Sequence, residues 1–126
     1  MIAQVVPPNE IFLQNLTHTI ETYLDDPHLD INKLLKLVGM SRTDLHRKLG
    51  KTVGMSATKY LRYVRLHHGA QLLVTELTWS IYQIAFEVGF NSQSYFTRRF
   101  TEVFGCSPKK YRDLFLAKRG KVGTYV

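Results

Sequence analysis

Four polar residues in the second half of the chain, Gln93, Ser94, Thr97 and Arg98, could recognise the edges of DNA bases. Their spacing of i, i+1, i+4 and i+5 places them together on one face of an α-helix. An arginine can donate two parallel hydrogen bonds to O6 and N7 of guanine, and amide and hydroxyl side chains can pair with other base edges. This face therefore offers the chemistry of base recognition in a DNA major groove.

Two helices joined by a sharp turn must hold this polar face in place. Residues 80–112 predict a first helix that ends at Gly89 and a second helix that is capped by Ser92 or Asn91. The opposite face of the second helix is apolar and consists of Phe96, Phe100, Val103 and Phe104. This arrangement predicts a helix-turn-helix, with an ordinary helical hairpin as the alternative.

The same pattern occurs a second time in the chain. Residues 34–60 align with residues 84–111 with one residue of difference in the turn, and Arg47 falls on Arg98. A repeat with a period near fifty residues in two copies predicts two helix-turn-helix units and disfavours an accidental hairpin. The turn and core positions recur as well: Gly39, Ser41, Leu45 and Leu49 align with Gly89, Ser92, Phe96 and Phe100.

The charge of the chain is distributed unevenly along its 126 residues. The net charge is +7 and the isoelectric point is near 9.7. All 17 basic residues and five of the ten acidic residues lie in residues 33–126, which therefore carry a net charge of +12. A basic body of this size predicts a polyanionic partner. Basicity alone also fits RNA or an anionic lipid surface, and the paired helix-turn-helix pattern favours duplex DNA.

Composition predicts a soluble globular domain in the cytoplasm. The chain is 44% hydrophobic with a mean hydropathy of −0.15, and it contains no apolar run long enough to span a bilayer. Its N-terminus lacks the basic and apolar regions of a signal peptide. A single cysteine, Cys106, excludes an internal disulfide and a cysteine-rich metal site. We expect no metal, no cofactor and no membrane contact by this domain, although a parent protein could be membrane-anchored.

A long motif without gaps extends from Ile81 to Arg112. It reads I-x-x-I-A-x-x-x-G-F-x-S-x-x-Y-F-x-R-x-F, followed by G-x-S-P-x-x-Y-R. The motif resembles the signature of the AraC/XylS transcription regulators, and the resemblance covers roughly residues 10–115. It implies an all-α DNA-binding module of about seven helices, in which two homeodomain-like helix-turn-helix subdomains are joined by one long central helix. Gly50 and Gly69 depart from the family pattern and predict a softer or shorter first recognition helix and a small local weakening of the central helix.

The resemblance and the turn signals together predict the organisation of the chain. Pro27 is expected to end the first helix, Asp30 to cap the second helix, and Ser41 with Asp44 to form an acidic capping box. Ser56 is expected to cap a central helix of about 57–75, and Ser107 and Pro108 to begin the last helix. Tyr111 and Leu114 are expected to pack inward. The predicted segments are a linker or tail at 1–8, a first helix-turn-helix subdomain at 9–55, a connecting helix at 56–75, a second helix-turn-helix subdomain at 76–116 and a flexible basic tail at 117–126.

Two sets of residues are predicted to contact DNA, one reading bases and the other fixing the register on the phosphates. The predicted base readers are Arg42, Thr43, His46, Arg47, Gln93, Ser94, Thr97 and Arg98. The predicted phosphate contacts are Lys48, Lys51, Arg99, Lys109 and Lys110, and Arg62 and Arg65 of the central helix are further candidates.

These observations predict a sequence-specific double-stranded DNA-binding transcription regulator, acting as an activator with two recognition helices in successive major grooves. The isolated domain is expected to be monomeric, with RNA polymerase as a further candidate partner. The resemblance is greatest to the output domain of two-component regulators; a stand-alone small activator and a helical protein-interaction adaptor are the alternatives. An enzyme is disfavoured, because no Ser, His and Asp are spaced to build a triad and no Gly-rich phosphate loop exists.

Overall fold

The computed structural model describes residues 8–124, with side chains described through residue 119. Within that range the chain contains helices and no strand, which confirms the predicted all-α class. The predicted linker at 1–8 lies outside the described residues except for Pro8, which begins the first helix. The described range forms seven helices: α1 (Pro8–Thr22), α2 (Ile31–Val38), α3 (Arg42–Val53), α4 (Ala57–Thr75), α5 (Ile81–Glu87), α6 (Gln93–Phe104) and α7 (Pro108–Thr124).

The helices group into two compact units. The first unit comprises the chain up to Leu24 and the segment His28–Val64, and the second comprises Asp25–Pro27 and the chain from Arg65 onward. Helix α4 is continuous, so its first part belongs to the first unit and the remainder to the second. The subdomain boundaries that the sequence suggested, at residues 55 and 76, stay a prediction.

The first unit is built around leucine and isoleucine side chains from α1, α2 and α3. Asp30 caps α2, as predicted, by accepting a hydrogen bond from the backbone N–H of Lys33. The hydroxyl groups of Thr17 on α1 and Tyr60 on α4 lie 2.6 Å apart and form a hydrogen bond. Five side chains of this core are at most 1% exposed: Leu16, Ile20, Leu34, Leu45 and Leu49.

An aromatic cluster forms the core of the second unit. Phe96 and Phe100 are fully buried, and their ring centroids lie 5.7 Å apart. Phe100 also stacks on Phe104 at 4.4 Å and meets the edge of Tyr111 at 5.4 Å. This cluster fixes the back of α6, and the polar front of α6 is consequently held facing outward.

Two apolar residues that were predicted to join this core are exposed instead. Val103 is 44% exposed and Leu114 is 56% exposed. The 3.6-residue period allowed both residues an inward position, but the core contacts of α6 and α7 are made by the rings of Phe96, Phe100, Phe104 and Tyr111. Tyr111, in contrast, packs against Phe100 and Phe104 as expected.

Arg65 is a buried structural residue, and the prediction that it approaches a phosphate is wrong. Its side chain is 6% exposed. Nη1 donates to the carbonyl oxygen of Val88 at 2.8 Å, and Nη2 donates to that of Asp26 at 3.0 Å. Burial lowers the pKa of Arg65, although the charges of Asp26 and Asp25 oppose this effect. The guanidinium thus links α4 to two other segments of the second unit.

Arg112, the last residue of the family motif, supports the end of α4. Its Nε, Nη2 and Nη1 donate to the carbonyl oxygens of Leu73 at 2.9 Å, Glu76 at 3.1 Å and Trp79 at 2.7 Å. A helix leaves its last carbonyl groups without partners, and a cationic side chain with a planar fork of donors can satisfy several of them. Arg112 therefore joins α7 to the end of α4 and to the connection that follows it.

Helices α3 and α7 are longer than the sequence predicted. Helices α3 and α6 each span 12 residues, so Gly50 does not shorten the first recognition helix. Helix α7 continues to Thr124, so residues 117–124 are helical where the sequence predicted a flexible tail; residues 125–126 lie outside the described range. Alanine, lysine and arginine at 117–119 are strong helix formers, and each of the two glycines, Gly120 and Gly123, costs only about 1 kcal/mol.

Gly69 is required by packing, which corrects its interpretation as a weak point of α4. A Cβ atom at this position would lie 2.9 Å from both Cε1 and Cζ of Phe96. The Phe96 ring is fully buried and packs against Phe90 at 5.2 Å, so it cannot swing away freely. Glycine at residue 69 allows α4 to approach α6 closely.

We predict that Gly69→Ala destabilises the protein by about 1–2 kcal/mol, because overpacking outweighs the gain in helix propensity. Gly50→Ala is the matched control. Residue 50 is also helical, but it is exposed, and nothing lies within 4 Å of an added Cβ. That variant is expected to gain about 0.5–1 kcal/mol. Thermal unfolding of the two variants checks the prediction, and equal stabilisation by both would contradict it.

Candidate nucleic-acid interface

The first recognition helix, α3, is held by a tight turn after α2. Gly39 ends α2 in the left-handed conformation with φ of 67°. The Ser41 hydroxyl then caps α3 by accepting from the backbone N–H of Asp44 at 3.1 Å. These contacts confirm the predicted helix-turn-helix and its serine cap in this unit.

The second recognition helix, α6, is held by a turn of the same design. Gly89 follows α5 with φ of 89°, and the Ser92 hydroxyl accepts from the backbone N–H of Tyr95 at 3.2 Å. Ser92, and not Asn91, is therefore the cap. Upstream, Ser80 and Gln83 form a full capping box at the start of α5.

The predicted base readers of the first unit share one exposed surface. A concavity of about 430 Å³ opens on this surface between α3 and the start of α4. All four predicted base readers line it, together with the first residues of α4. The lining residues are Ile31, Arg42, Thr43, Leu45, His46, Arg47, Ser56, Ala57 and Thr58.

Both arginines on this surface already contact neighbouring side chains. Arg42 Nη2 donates to Asn32 Oδ1 at 2.8 Å, and Arg47 Nη2 donates to Asp44 Oδ1 at 3.1 Å. The hydrogen bond from Arg47 and, to a smaller extent, that from Ser41 lower the pKa of Asp44 below its usual value. In the acidic capping box predicted at Ser41, the serine hydroxyl accepts its expected hydrogen bond from the backbone N–H of Asp44. The Asp44 carboxylate binds Arg47.

The predicted base readers of the second unit lie on the outer face of α6. Gln93, Ser94 and Arg98 are exposed, and Thr97 is half-buried. The Arg98 guanidinium carbon lies 5.3 Å from the ring centroid of Tyr95. A guanidinium at this distance is attracted to the face of the ring.

The predicted phosphate contacts are exposed cations, except for Arg99, which is half-buried. Lys109 forms an ion pair with Asp113 at 2.8 Å, and Arg99 forms one with Glu102 at 3.0 Å. Surface ion pairs are weak, so a phosphate can replace the carboxylate at little cost. Lys48 lies over the ring of Phe12, and Lys51 and Lys110 are exposed.

The start of α7 is built as the sequence predicted. The Ser107 hydroxyl accepts from the backbone N–H of Lys110 at 3.1 Å, and Pro108 occupies the first helical position. In the part of the chain that the structure describes, no three His, Cys, Asp or Glu side chains are grouped to hold a metal ion. None of the described helices has the length and apolar character needed to cross a bilayer.

Comparison with known proteins identifies the family. A family model described as a helix-turn-helix domain matches residues 34–113. The chain belongs to the AraC-type helix-turn-helix family. This membership confirms the resemblance to the AraC/XylS regulators, and it accounts for the motif that ends at Arg112.

Relatives of this AraC-type domain include regulators and solved DNA-binding domains. The HTH-type transcriptional regulator MtrA of Neisseria gonorrhoeae is 33% identical over 101 residues, which cover 79% of this chain and 33% of MtrA. The C-terminal domain of the response regulator yesN from Fusobacterium nucleatum is 26% identical, with a TM-score of 0.70 over 81% of this chain and 98% of that domain. The AraC-type domain spans about a third of the length of the curated relatives it matches first.

One solved relative contains DNA. The DNA-binding domain of AdpA, a global transcriptional factor, was solved in complex with a target DNA. It is 25% identical to the AraC-type domain and has a TM-score of 0.76 over 86% of this chain and 96% of that domain. The predicted architecture of two helix-turn-helix units joined by a long helix is confirmed by this likeness and by the seven helices of the described range.

Sequence reasoning overlooked three residues that contact the predicted base readers of this AraC-type domain. Asp44 and Tyr95 each precede an arginine by three residues, a helical spacing that brings side chains together and could have indicated both contacts. Asn32, in contrast, is ten residues from Arg42, and their contact depends on how α2 packs against α3. No local signal in the sequence indicates that contact.

Proposed function

We propose that the chain is the DNA-reading domain of a transcription activator, which binds one duplex site in a sequence-specific manner with both recognition helices. The observation that carries this proposal is the repetition of an exposed arginine face at matching positions of two equally long, equally capped helices, α3 and α6. A single basic helix would serve non-specific binding equally well, whereas two matched polar faces favour recognition of two base blocks.

In this proposal Arg47 and Arg98 each bind one guanine through O6 and N7. Each arginine is exposed near the middle of its recognition helix. The supporting base readers are Arg42, Thr43, His46, Gln93, Ser94 and Thr97. The phosphate contacts are Lys48, Lys51, Arg99, Lys109 and Lys110, which fix the register without reading sequence.

The remaining part of the proposal concerns the parent protein. Likeness to the C-terminal domain of the response regulator yesN supports a role as the output domain of a two-component regulator in the cytoplasm. In that role the domain binds as a monomer to successive major grooves and acts on RNA polymerase as an activator. A stand-alone small activator is the alternative form of the same function.

Selection of binding sites from a random duplex pool tests this function, with the retained pools measured again at about 50 and about 200 mM salt. We expect two short conserved blocks about one helical turn apart. Conservation of one block would assign base reading to one unit alone. Retention without any conserved block, lost at the higher salt, would contradict sequence-specific recognition, and no retention would favour the adaptor alternative.

We predict that Lys110→Ala weakens binding to all duplexes to a similar degree. Loss of one phosphate contact should reduce the slope of log affinity against log salt by about 0.9. Lys118→Ala, an exposed lysine on the same helix outside the predicted contact set, is the matched control. Titrations by fluorescence anisotropy at several salt concentrations measure both slopes. The same change in both variants would indicate a general effect of net charge and would contradict a phosphate contact at Lys110.

A further inference from the structure

The third residue of each recognition helix contacts the arginine three positions further on, and the two units use different chemistry for this contact. In α3, Asp44 binds Arg47 through a carboxylate at 3.1 Å. In α6, Tyr95 binds Arg98 through the face of its ring at 5.3 Å. The repeat aligns Asp44 with Tyr95, so the same position carries an anion in one unit and an aromatic ring in the other.

Tyr95 is held in position by contacts with Ser92 and Phe90. Its backbone N–H donates to the Ser92 cap, and its ring lies 5.8 Å from the ring of Phe90, which is 5% exposed. Arg99 lies over the same ring at 5.4 Å. A guanidinium held against a ring face keeps its charge and its N–H donors while it loses conformational freedom. Arg98 is therefore held in place with its donors available for a base.

The Asp44 carboxylate acts on Arg47 in the opposite sense. It accepts a hydrogen bond from Nη2, which a bidentate contact with guanine would also use, and it compensates the positive charge of the guanidinium. The two side chains are 57% and 53% exposed, so their attraction is weak and screened by salt. The same carboxylate would face the negative field of the DNA. Arg47 must therefore exchange one partner for another when it binds a base.

We propose that Tyr95 and Asp44 are positioning residues that give the two units unequal stringency: Tyr95 holds Arg98 ready to read its base, whereas Asp44 restrains Arg47 and makes the first unit more tolerant of base changes. This inference rests on the proposed base reading by Arg47 and Arg98. It adds that the difference between the half-sites is encoded at the third residue of each recognition helix.

The test measures discrimination, which is the ratio of affinities for the selected duplex and for a duplex changed at the base pair that one arginine reads. Asp44→Asn removes the ion pair and is expected to increase discrimination at the Arg47 base pair by about two- to fivefold, since an exposed ion pair is weak. In an Arg47→Ala background the same change should leave discrimination unaltered. A general loss of negative charge would raise affinity for both duplexes and leave their ratio unchanged.

The second half of the test concerns the contact between the Tyr95 ring and Arg98. Tyr95→Leu is expected to lower discrimination at the Arg98 base pair by about two- to fivefold, whereas Tyr95→Phe keeps the ring and should retain it. In an Arg98→Ala background Tyr95→Leu should have no further effect on discrimination. Thermal unfolding of each variant reports its folding, and Tyr95→Phe and the exposed Asp44→Asn keep the test decisive if Tyr95→Leu is unstable.

The outcomes separate this inference from the function on which it rests. If Arg47→Ala and Arg98→Ala leave discrimination unchanged, the proposed base contacts and this inference both fail. If those variants lose discrimination but Asp44→Asn and Tyr95→Leu do not alter it, the proposed function stands and the inference is overturned. An effect of Tyr95→Leu that persists in the Arg98→Ala background would likewise overturn it, because the ring would then act through the fold.

Discussion

Arg112→Ala is expected to lower the free energy of unfolding of the second unit by about 2–4 kcal/mol, because it removes three charged hydrogen bonds to part-buried carbonyl groups. Without the guanidinium, the carbonyl groups of Leu73, Glu76 and Trp79 lose a partner that water can replace only in part. For a unit of this size, the melting temperature should fall by about 4–8 °C per kcal/mol. Circular dichroism followed during heating measures the change.

Two further variants make this prediction specific to the guanidinium. Arg112→Lys keeps the charge but lacks the planar fork of donors, so it should recover only a small part of the lost stability. Arg119→Ala removes an exposed arginine from the same helix and is expected to change stability by no more than about 0.5 kcal/mol. If Arg112→Ala were no more destabilising than Arg119→Ala, the three hydrogen bonds would not contribute to stability as proposed.

Arg98→Ala is expected to cost about 1–3 kcal/mol of binding free energy on the selected duplex and to relax specificity at one base pair. The effect should be confined to that base pair, since a bidentate contact with guanine discriminates against the other bases. Arg98 is exposed, so stability of the fold should change little. Binding to the selected duplex and to each single-base variant measures the pattern.

Arg98→Lys provides the matched control because it preserves the charge and removes the fork. It should retain most of the non-specific affinity and lose most of the discrimination. An equal loss of affinity by Arg98→Ala on every duplex would identify Arg98 as a phosphate contact and contradict its role as a base reader. Arg47→Ala, tested in the same way, is expected to show a smaller loss because of its contact with Asp44.

Most features that depend on neighbours in sequence were predicted well, but the end of the first helix was not, because α1 ends at Thr22 and not at Pro27. The caps at Asp30, Ser41 and Ser92 were identified from residue type and position, and each accepts the expected backbone hydrogen bond. Helix α4 begins and ends at the predicted residues, Ala57 and Thr75. These signals are local, since a cap or a helical stripe is complete within one or two turns. The exposure of the predicted base readers other than Thr97 follows from the same local patterns.

Features that depend on distant residues were not predicted. Arg65 resembles a surface cation in sequence, but its two acceptors lie 23 and 39 residues away. The sequence predicts that Gly69 weakens a helix, because Phe96, which requires a glycine there, lies 27 residues further on. Burial of a cation and the need for a glycine both depend on which segments meet in space. The contacts of Asp44 and Tyr95 with the arginines were overlooked, although their spacing is local.

The segment Asp25–Pro27 belongs to the second unit, although the chain on either side of it belongs to the first. The carbonyl group of Asp26 is one of the two acceptors of the buried Arg65. A fragment that began at residue 65 would therefore contain the guanidinium without one of its acceptors. Dissection of the protein by proteolysis or truncation would damage the very unit it aimed to isolate. The separate contribution of each recognition helix is better measured by point substitution within the intact chain.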